Sequence, residues 1–474
     1  MNFRTILLLA CAVVHFATEP VFAKPPHIVL VMADDQGWGD MAYNGHPVVK
    51  TPNFDESAAN GLKFDRFYAA APVCSPTRAS VLTGRTPNRS AVFSWGHPIR
   101  PQEETIAEVL KGAGYTTGHF GKWHLGSVRK DSPSNPARNG FDRWVSAANF
   151  YDNGSVLSDE GTAVKKEGES SAIAVDDAVE WMRGAIDEDA PIFAVIWFGS
   201  PHHPHRAADE DRALYADQPD NVRDFYGEIT GMDRAYGRLK SSLDEMGILE
   251  NTVLWYCSDN GALPKIGNTG GRRGDKGDIY EGGLAVPAIL EWPARIKVPA
   301  TTEIRATTCD IFPTVLDIAG AKRKSKAPLD GISLVPVIEG ALDERPDGFG
   351  FWQHPTRGIG TPSDEWMEEL LAAQKEGRDL PPHESSQRAA ELPDPPYPVS
   401  DNFPGHSAWI DGDWKLHRIQ DADGDVTIEL YNLDADPSEE HDVSREKSEV
   451  VEKNVLLLEN WLESVARSLN GEDY

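Results

Sequence analysis

Apolar runs of six or seven residues alternate with longer amphipathic stretches through the first two thirds of the chain, and each run stops at a cluster of polar residues. His27-Ile28-Val29-Leu30-Val31-Met32 is apolar on both faces and breaks off at Asp34-Asp35. Residues 192–198 end in the same way at Gly199-Ser200-Pro201-His202, and residues 252–257 at Ser258-Asp259-Asn260-Gly261. Short runs with no polar face predict strands covered on both sides. Between them, Ile106, Val109 and Leu110 predict a helix over 105–113, stopped by Gly114; further helices are predicted over 171–185 and 233–246, the last stopped by Gly247. This alternation predicts an α/β fold, a large mostly parallel sheet flanked by helices.

The pattern changes after about Pro336. Residues 355–404 are rich in Pro, Glu and Asp, with a short helix predicted over 364–375. Residues 407–416 then read as a hairpin turning at Gly412, residues 429–433 as a strand and 447–469 as a closing helix. A smaller C-terminal α+β subdomain follows, an antiparallel sheet plus one helix. The expected organisation is a main α/β domain at 24–340, an insertion or linker at 341–404 and the subdomain at 405–474. Residues 1–23 read as a secretory signal peptide: Arg4, an apolar run from Ile6 to Val14, and Val21-Phe22-Ala23 before Lys24. The expected location is therefore secreted or periplasmic. The apolar run is too short to span a bilayer, so no stable membrane insertion is expected.

The 474 residues carry a net charge of -29. Arg4 and Glu19 cancel, so removing residues 1–23 leaves that figure unchanged. So acidic a surface argues against general nucleic-acid binding, and any anionic substrate must meet a locally basic pocket. Of four cysteines, Cys11 falls in the signal; Cys74, Cys257 and Cys309 make no disulfide framework, although a Cys257–Cys309 bridge is open.

Three strands ending in Asp34-Asp35, His202 and Asp259-Asn260 matter because ligands of an open parallel sheet bind beyond the carboxyl ends of its strands. Asp34, Asp35, Asp259 and Asn260 offer only hard oxygen donors, a set for calcium or magnesium rather than zinc. Each pair alone reads equally well as a cap or turn. Cys74-Ser75-Pro76-Thr77-Arg78, continuing Ala79-Ser80-Val81-Leu82-Thr83-Gly84-Arg85, places a cysteine before an expected helix. Ser75 is expected to be its N-cap and Pro76 to lie in its first turn. The helix N-terminus and Arg78 are expected to lower the Cys74 thiol pKa.

That stretch resembles the activation motif of the formylglycine-dependent sulfatases of the alkaline phosphatase superfamily. Gly121-Lys122-Trp123-His124-Leu125-Gly126 resembles that family's second signature, Pro201-His202-His203-Pro204 its leaving-group histidine motif, and Gly274 to Gly283 the stretch carrying a sulfate-binding lysine, here Lys276. The resemblance implies that a formylglycine-generating enzyme oxidises Cys74 during maturation, and that the hydrated aldehyde attacks sulfur. It implies one divalent cation, usually calcium with magnesium as the alternative, held by Asp34, Asp35, Asp259, Asn260 and the residue made from Cys74. It gives Arg78 to the nucleophile, Lys122 and Lys276 to the sulfate oxygens, His202 to the leaving alcohol and His124 to the final proton removal. The implied substrate is a sulfated small molecule or saccharide. A phosphate or phosphonate ester hydrolase of the same superfamily is the alternative, and a non-catalytic polyanion-binding protein a second. Trp95, His97, Arg100, Arg206, Arg272 and Arg273 are candidates to line a sugar pocket, and 355–404 to wall its entrance.

Overall fold

A computed structural model describes residues 24–186, 190–386, 392–393, 395–400 and 402–474. The expected signal peptide lies outside the described residues. In chain order the large sheet contains β1 (His27–Ala33), β2 (Leu62–Tyr68), β3 (Thr116–Lys122), β4 (Arg143–Ala147), β5 (Val156–Asp159) and β6 (Thr162–Lys165). It continues with β7 (Ile192–Trp197), β8 (Thr252–Ser258), β9 (Ala285–Glu291), β10 (Ala300–Thr302) and β11 (Ala306–Thr307). The strand order is β10-β2-β9-β8-β1-β7-β3-β4-β5-β6, with β11 also on β2. The centre, β8-β1-β7-β3-β4, is parallel. Antiparallel pairs appear outside it, at β8-β9, β2-β9, β4-β5 and β5-β6.

Side-chain alternation explains why β1 reads as uniformly apolar. Ile28, Leu30 and Met32 enter one buried cluster, whereas Val29, Val31 and Ala33 enter another across the sheet. Helices cover both faces, so neither set meets water. The helix expected to begin at Asp233 starts at Asp220 and runs to Glu245. Its first turns carry many charges, which concealed the apolar stripe of Phe225, Ile229 and Met232 that packs on the sheet. The helix expected over 364–375 is Ser363–Lys375, and its Met367 and Leu370 join the main core.

A second, antiparallel sheet contains β12 (Phe349–Gln353), β13 (Gly405–Asp411), β14 (Trp414–Gln420) and β15 (Val426–Asn432), in that order. The helix Ser448–Leu469 covers one face with Leu458, Leu462 and Val465. On the other face Phe349, Phe351, Ala408 and Ile410 pack on Tyr68, Ile279 and Leu284 of the main body. Cys74, Cys257 and Cys309 are all free, so the Cys257–Cys309 bridge is absent. No helix among the described residues is long and apolar enough to cross a membrane.

Candidate active site

Register alone brings most of the polar clusters together. Ala33 of β1 pairs with Ser258 of β8, so Asp34-Asp35 and Asp259-Asn260 leave the sheet side by side. Lys122 ends β3, whose Gly121 pairs with Trp197 of β7. Three residues beyond Trp197, Ser200 accepts a backbone hydrogen bond from Asp34 at 3.0 Å, which ties the His202 loop to the same edge. The carboxyl edge of four strands, β1, β3, β7 and β8, thus carries Asp34, Asp35, Lys122, His202, Asp259 and Asn260.

Cys74 comes from below this edge, on the helix Cys74–Thr83. The N-cap position is Val73 in extended conformation, not Ser75 as expected. Ser75 lies inside the first turn, where its Oγ accepts from the Gly96 N–H at 2.8 Å. The whole helix is buried, which rewards a side chain that fixes a neighbouring segment over one that caps. The thiol expectation is also reversed. Burial pushes the Cys74 pKa up to about 12, with Asp259 and Asp34 adding to it, against the opposing pull of Lys122 and Lys276. The unmodified side chain is therefore a neutral thiol at physiological pH and a poor nucleophile.

Ligand atoms of Asp34, Asp35, Cys74 and His202 all lie within 4.8 Å of one another. The other groups frame this cluster. Arg78, fully buried, donates from Nε and Nη2 to Asp259 Oδ2 at 3.0 and 2.6 Å and lies 3.6 Å from Asp34 Oδ1. Lys122 Nζ donates to Asp34 Oδ2 at 2.7 Å, and Lys276 Nζ to Asp35 Oδ2 at 2.6 Å. Asp35 N–H donates to Asp259 Oδ1, and Asn260 Nδ2 to Asp35 Oδ1, each at 3.0 Å. His202 Nε2 stands 3.6 Å from Asp35 Oδ2 while its ring stacks on Phe150 at 4.3 Å. His124 is buried with neither ring nitrogen partnered.

Strain marks the same residues. Asp35 and His124 hold φ of 70° and 53°, left-handed values that are costly for a residue with a Cβ. Electrostatics is equally concentrated. Burial, with Asp259 and Asp35 adding to it, raises Asp34 to about 7 despite Lys122 and Arg78. Asp35 is buried too, yet Lys276, His202 and Lys122 hold it well below the usual carboxylate range. Burial lowers His202 to about 3; Asp35 opposes this and the two lysines add to it. The imidazole is therefore neutral in the free site.

The donor set fits a hard divalent cation. Asp34 Oδ1 and Asn260 Oδ1 are buried oxygens with no hydrogen-bond partner, a costly state unless something else binds them. Three carboxylates (Asp34, Asp35, Asp259) already face three fixed cations (Arg78, Lys122, Lys276), so an added dication would leave the site positive and ready for an anion.

A cavity of about 530 Å³ opens above Cys74, lined by His124, His202 and Lys276 together with Trp95, Asn149 and Gly360-Thr361-Pro362. Of the candidates for a sugar pocket, Trp95 is at this cavity, and residues 360–362 wall the opening. The arginines are not. Arg100 is buried and donates to the carbonyls of Arg89 and Leu469. Arg272 stacks on Trp38 at 3.8 Å, and Arg273 stacks on Tyr280 and donates to Tyr431. Arg206 pairs with Asp152 at 3.2 Å. Asn149 and Phe150 were not singled out; they follow β4, a strand whose mixed sequence hides it, and only their place beyond a strand's carboxyl end could have flagged them.

Acid groups, lysines and a helix-borne side chain gathered at the carboxyl edge of a parallel sheet define an α/β enzyme for an anionic ester. Residues 26–321 match the family model described as Sulfatase. The chain is 33% identical over 363 residues to N-acetylgalactosamine-6-sulfatase of Mus musculus, covering 68% of each chain. It is 33% identical over 358 residues to arylsulfatase A of Homo sapiens, covering 67% of this chain and 68% of that one. The structure described as Ps i-CgsB in complex with k-i-k-neocarrahexaose shares the fold, with a TM-score of 0.77 and 24% identity over 93% of each chain. The phosphonate monoester hydrolase of Agrobacterium radiobacter shares it more loosely, with a TM-score of 0.59 and 20% identity over 94% of this chain and 96% of that one. The chain belongs to the sulfatase family. It is a sulfuric ester hydrolase acting on carbohydrate or aryl sulfates, which sets aside the non-catalytic alternative.

Proposed function

We propose that this is an exported sulfatase whose residue 74 works as formylglycine beside one bound divalent cation. Asp34, Asp35, Asp259 and Asn260 would hold the cation with an oxygen at residue 74, calcium being favoured because it tolerates an irregular all-oxygen shell. The observation that carries the reading is the pair of orphaned buried oxygens, on Asp34 and Asn260, beside an inert Cys74 thiol. When present, the hydrated aldehyde supplies an oxygen nucleophile with a second hydroxyl for sulfate release, and the cation lowers the pKa of that oxygen.

The chain's own side chains supply the rest. Arg78 orients Asp259 and lends positive charge beneath residue 74. Lys122 and Lys276 face the sulfate oxygens and stabilise the charge that builds in the transition state. His202, anchored on Phe150, donates a proton to the departing alcohol oxygen. Because it is neutral in the free site, the incoming anionic ester must raise its pKa by offsetting the two lysines. His124 accepts the proton from the residue 74 hydroxyl when sulfate leaves; its free nitrogens leave it available for that step.

Mass spectrometry of the peptide containing Cys74, from protein expressed in its native host, tests the modification. Conversion of the thiol to an aldehyde is expected, and an unmodified cysteine in active enzyme would refute it. Chelation tests the cation. Activity should vanish and return with calcium, and the melting temperature should fall, since a ligand at a hundred times its Kd contributes about 2.7 kcal/mol.

A further inference from the structure

The cavity above Cys74 has two unlike halves. Its floor is cationic and titratable, formed by Lys276, His124 and His202. The rest of its lining is Val73, Trp95, Asn149 and the strap Gly360-Thr361-Pro362, without a charged side chain.

Trp95 is 44% exposed, yet it is held firmly. Ile359 N–H donates to its carbonyl at 2.8 Å. Gly358 lies so close against the indole that a Cβ there would come within 2.2 Å of Cδ2 and Cε2. The strap thus backs one face of the ring, and the other is presented to the cavity. Asn149 is fixed too. Its Nδ2 donates to the Thr361 carbonyl at 3.1 Å, which orients the amide and leaves Oδ1 buried with no partner.

A rigid aromatic face beside one unused acceptor suits the C–H face of a pyranose ring and a hydroxyl or amide N–H donor on it. It does not suit a second anion. A carboxylate or second sulfate on that ring would be desolvated against apolar wall and would meet the carbonyl oxygen of Asn149. No arginine among the described residues lines the cavity; Arg206 pairs with Asp152, and Arg273 packs on Tyr280 and donates to Tyr431. The net charge of -29 adds repulsion at longer range.

We infer that Trp95 and Asn149, set by the 358–362 strap, make this sulfatase selective for a neutral pyranoside whose sulfate is its only anionic group. The inference rests on the sulfatase reading above and narrows it.

The experiment compares kcat/KM on 4-nitrophenyl sulfate, on the positional monosulfates of galactose and N-acetylgalactosamine, and on disulfated counterparts of each. The best monosulfate should exceed its disulfated counterpart by about tenfold or more. Trp95→Ala and Asn149→Ala should each lower kcat/KM on that monosulfate about three- to tenfold, chiefly through KM, the size expected of one aromatic contact or one hydrogen bond. They should thereby narrow the gap to the disulfate. Equal or faster turnover of disulfated sugars would overturn the inference, as would variants that leave the gap unchanged. In either case continued release from 4-nitrophenyl sulfate leaves the sulfatase reading standing, whereas release from no substrate would overturn both.

Discussion

Arg78 reaches Asp259 with two nitrogens from a fully buried position, and a third, Nη1, donates to the Lys122 carbonyl at 3.3 Å. One planar group thereby ties the helix that carries Cys74 to β8 and β3. A lysine has the charge but not the fork. Arg78→Lys is expected to cost about 1.5–3 kcal/mol of transition-state stabilisation, roughly ten- to a hundredfold in kcat/KM. Circular dichroism should remain native, and unchanged kinetics would show that the fork has no part in catalysis. That Arg78 shares a helix with Cys74 could be read from its motif. The fork on Asp259, 181 residues away, could not, because it depends on β1 and β8 being neighbours. The thiol pKa of Cys74 misled for a related reason. Helix-end and arginine effects are visible in sequence, whereas the burial that outweighs them is a property of the assembled fold.

The helix Cys74–Thr83 is the element that delivers residue 74, and its far end is as constrained as its start. Gly84 closes it at φ 69°, its N–H donating to the Ser80 carbonyl at 2.8 Å. An added Cβ would stand 2.9 Å from Phe312 Cβ, part of the helix Ile311–Ala319. Gly84→Ala should therefore destabilise by about 2–3 kcal/mol, a left-handed penalty plus a forced shift of the neighbouring helix. Urea denaturation measures it, and a loss below about 0.5 kcal/mol would mean the end of the helix relaxes freely. Elements of this kind differed in how readable they were. β1, β7 and β8 stood out because burial on both faces leaves unbroken apolar runs. β12 went unnoticed: Phe349-Gly350-Phe351-Trp352-Gln353 is short and split by a glycine, and only the hairpin of β13 and β14 gives it a partner. The helix from Asp220 begins thirteen residues before its expected start because its opening stripe lies among four charged positions, Asp220, Arg223, Asp224 and Glu228. At the site, the strand-end clusters are legible, and Trp95 and 355–404 could be named as a candidate lining and wall; the packing of 358–362 on Trp95 could not be read, since a Pro- and acid-rich stretch carries no periodicity to place it.

Across the whole molecule, the C-terminal sheet and helix are joined to the main body by buried charge as well as apolar contact. Lys415 is fully buried between Glu281 and Glu439, at 2.9 and 3.1 Å, and the second oxygen of Glu439 accepts the Glu281 N–H at 2.6 Å. Glu281 lies five residues from Lys276, so this joint borders the site. On the opposite side Arg89 grips Asp330 through Nε and Nη2, at 2.8 and 2.9 Å, while Trp461 of the C-terminal helix donates to Asp330 Oδ1 at 2.9 Å. Asp330 also accepts the Thr86 N–H at 2.7 Å. One carboxylate thus holds the segment after the Cys74–Thr83 helix to the C-terminal helix. Burial alone would raise its pKa, but Arg89 and these hydrogen bonds outweigh burial and bring it below the ordinary value of 3.8. A carboxyl group depressed on folding binds its proton more readily when unfolded. Its stabilisation is therefore present above about pH 4 and lost as pH falls through the lower folded value. Asp330→Asn leaves Arg89 buried without its charge partner and should cost about 3–5 kcal/mol at pH 7. Below pH 4 the wild type loses the same interaction, so the two melting temperatures should converge there. Parallel curves across the acid range, with a constant offset, would show that the charge on Asp330 does not couple folding to pH.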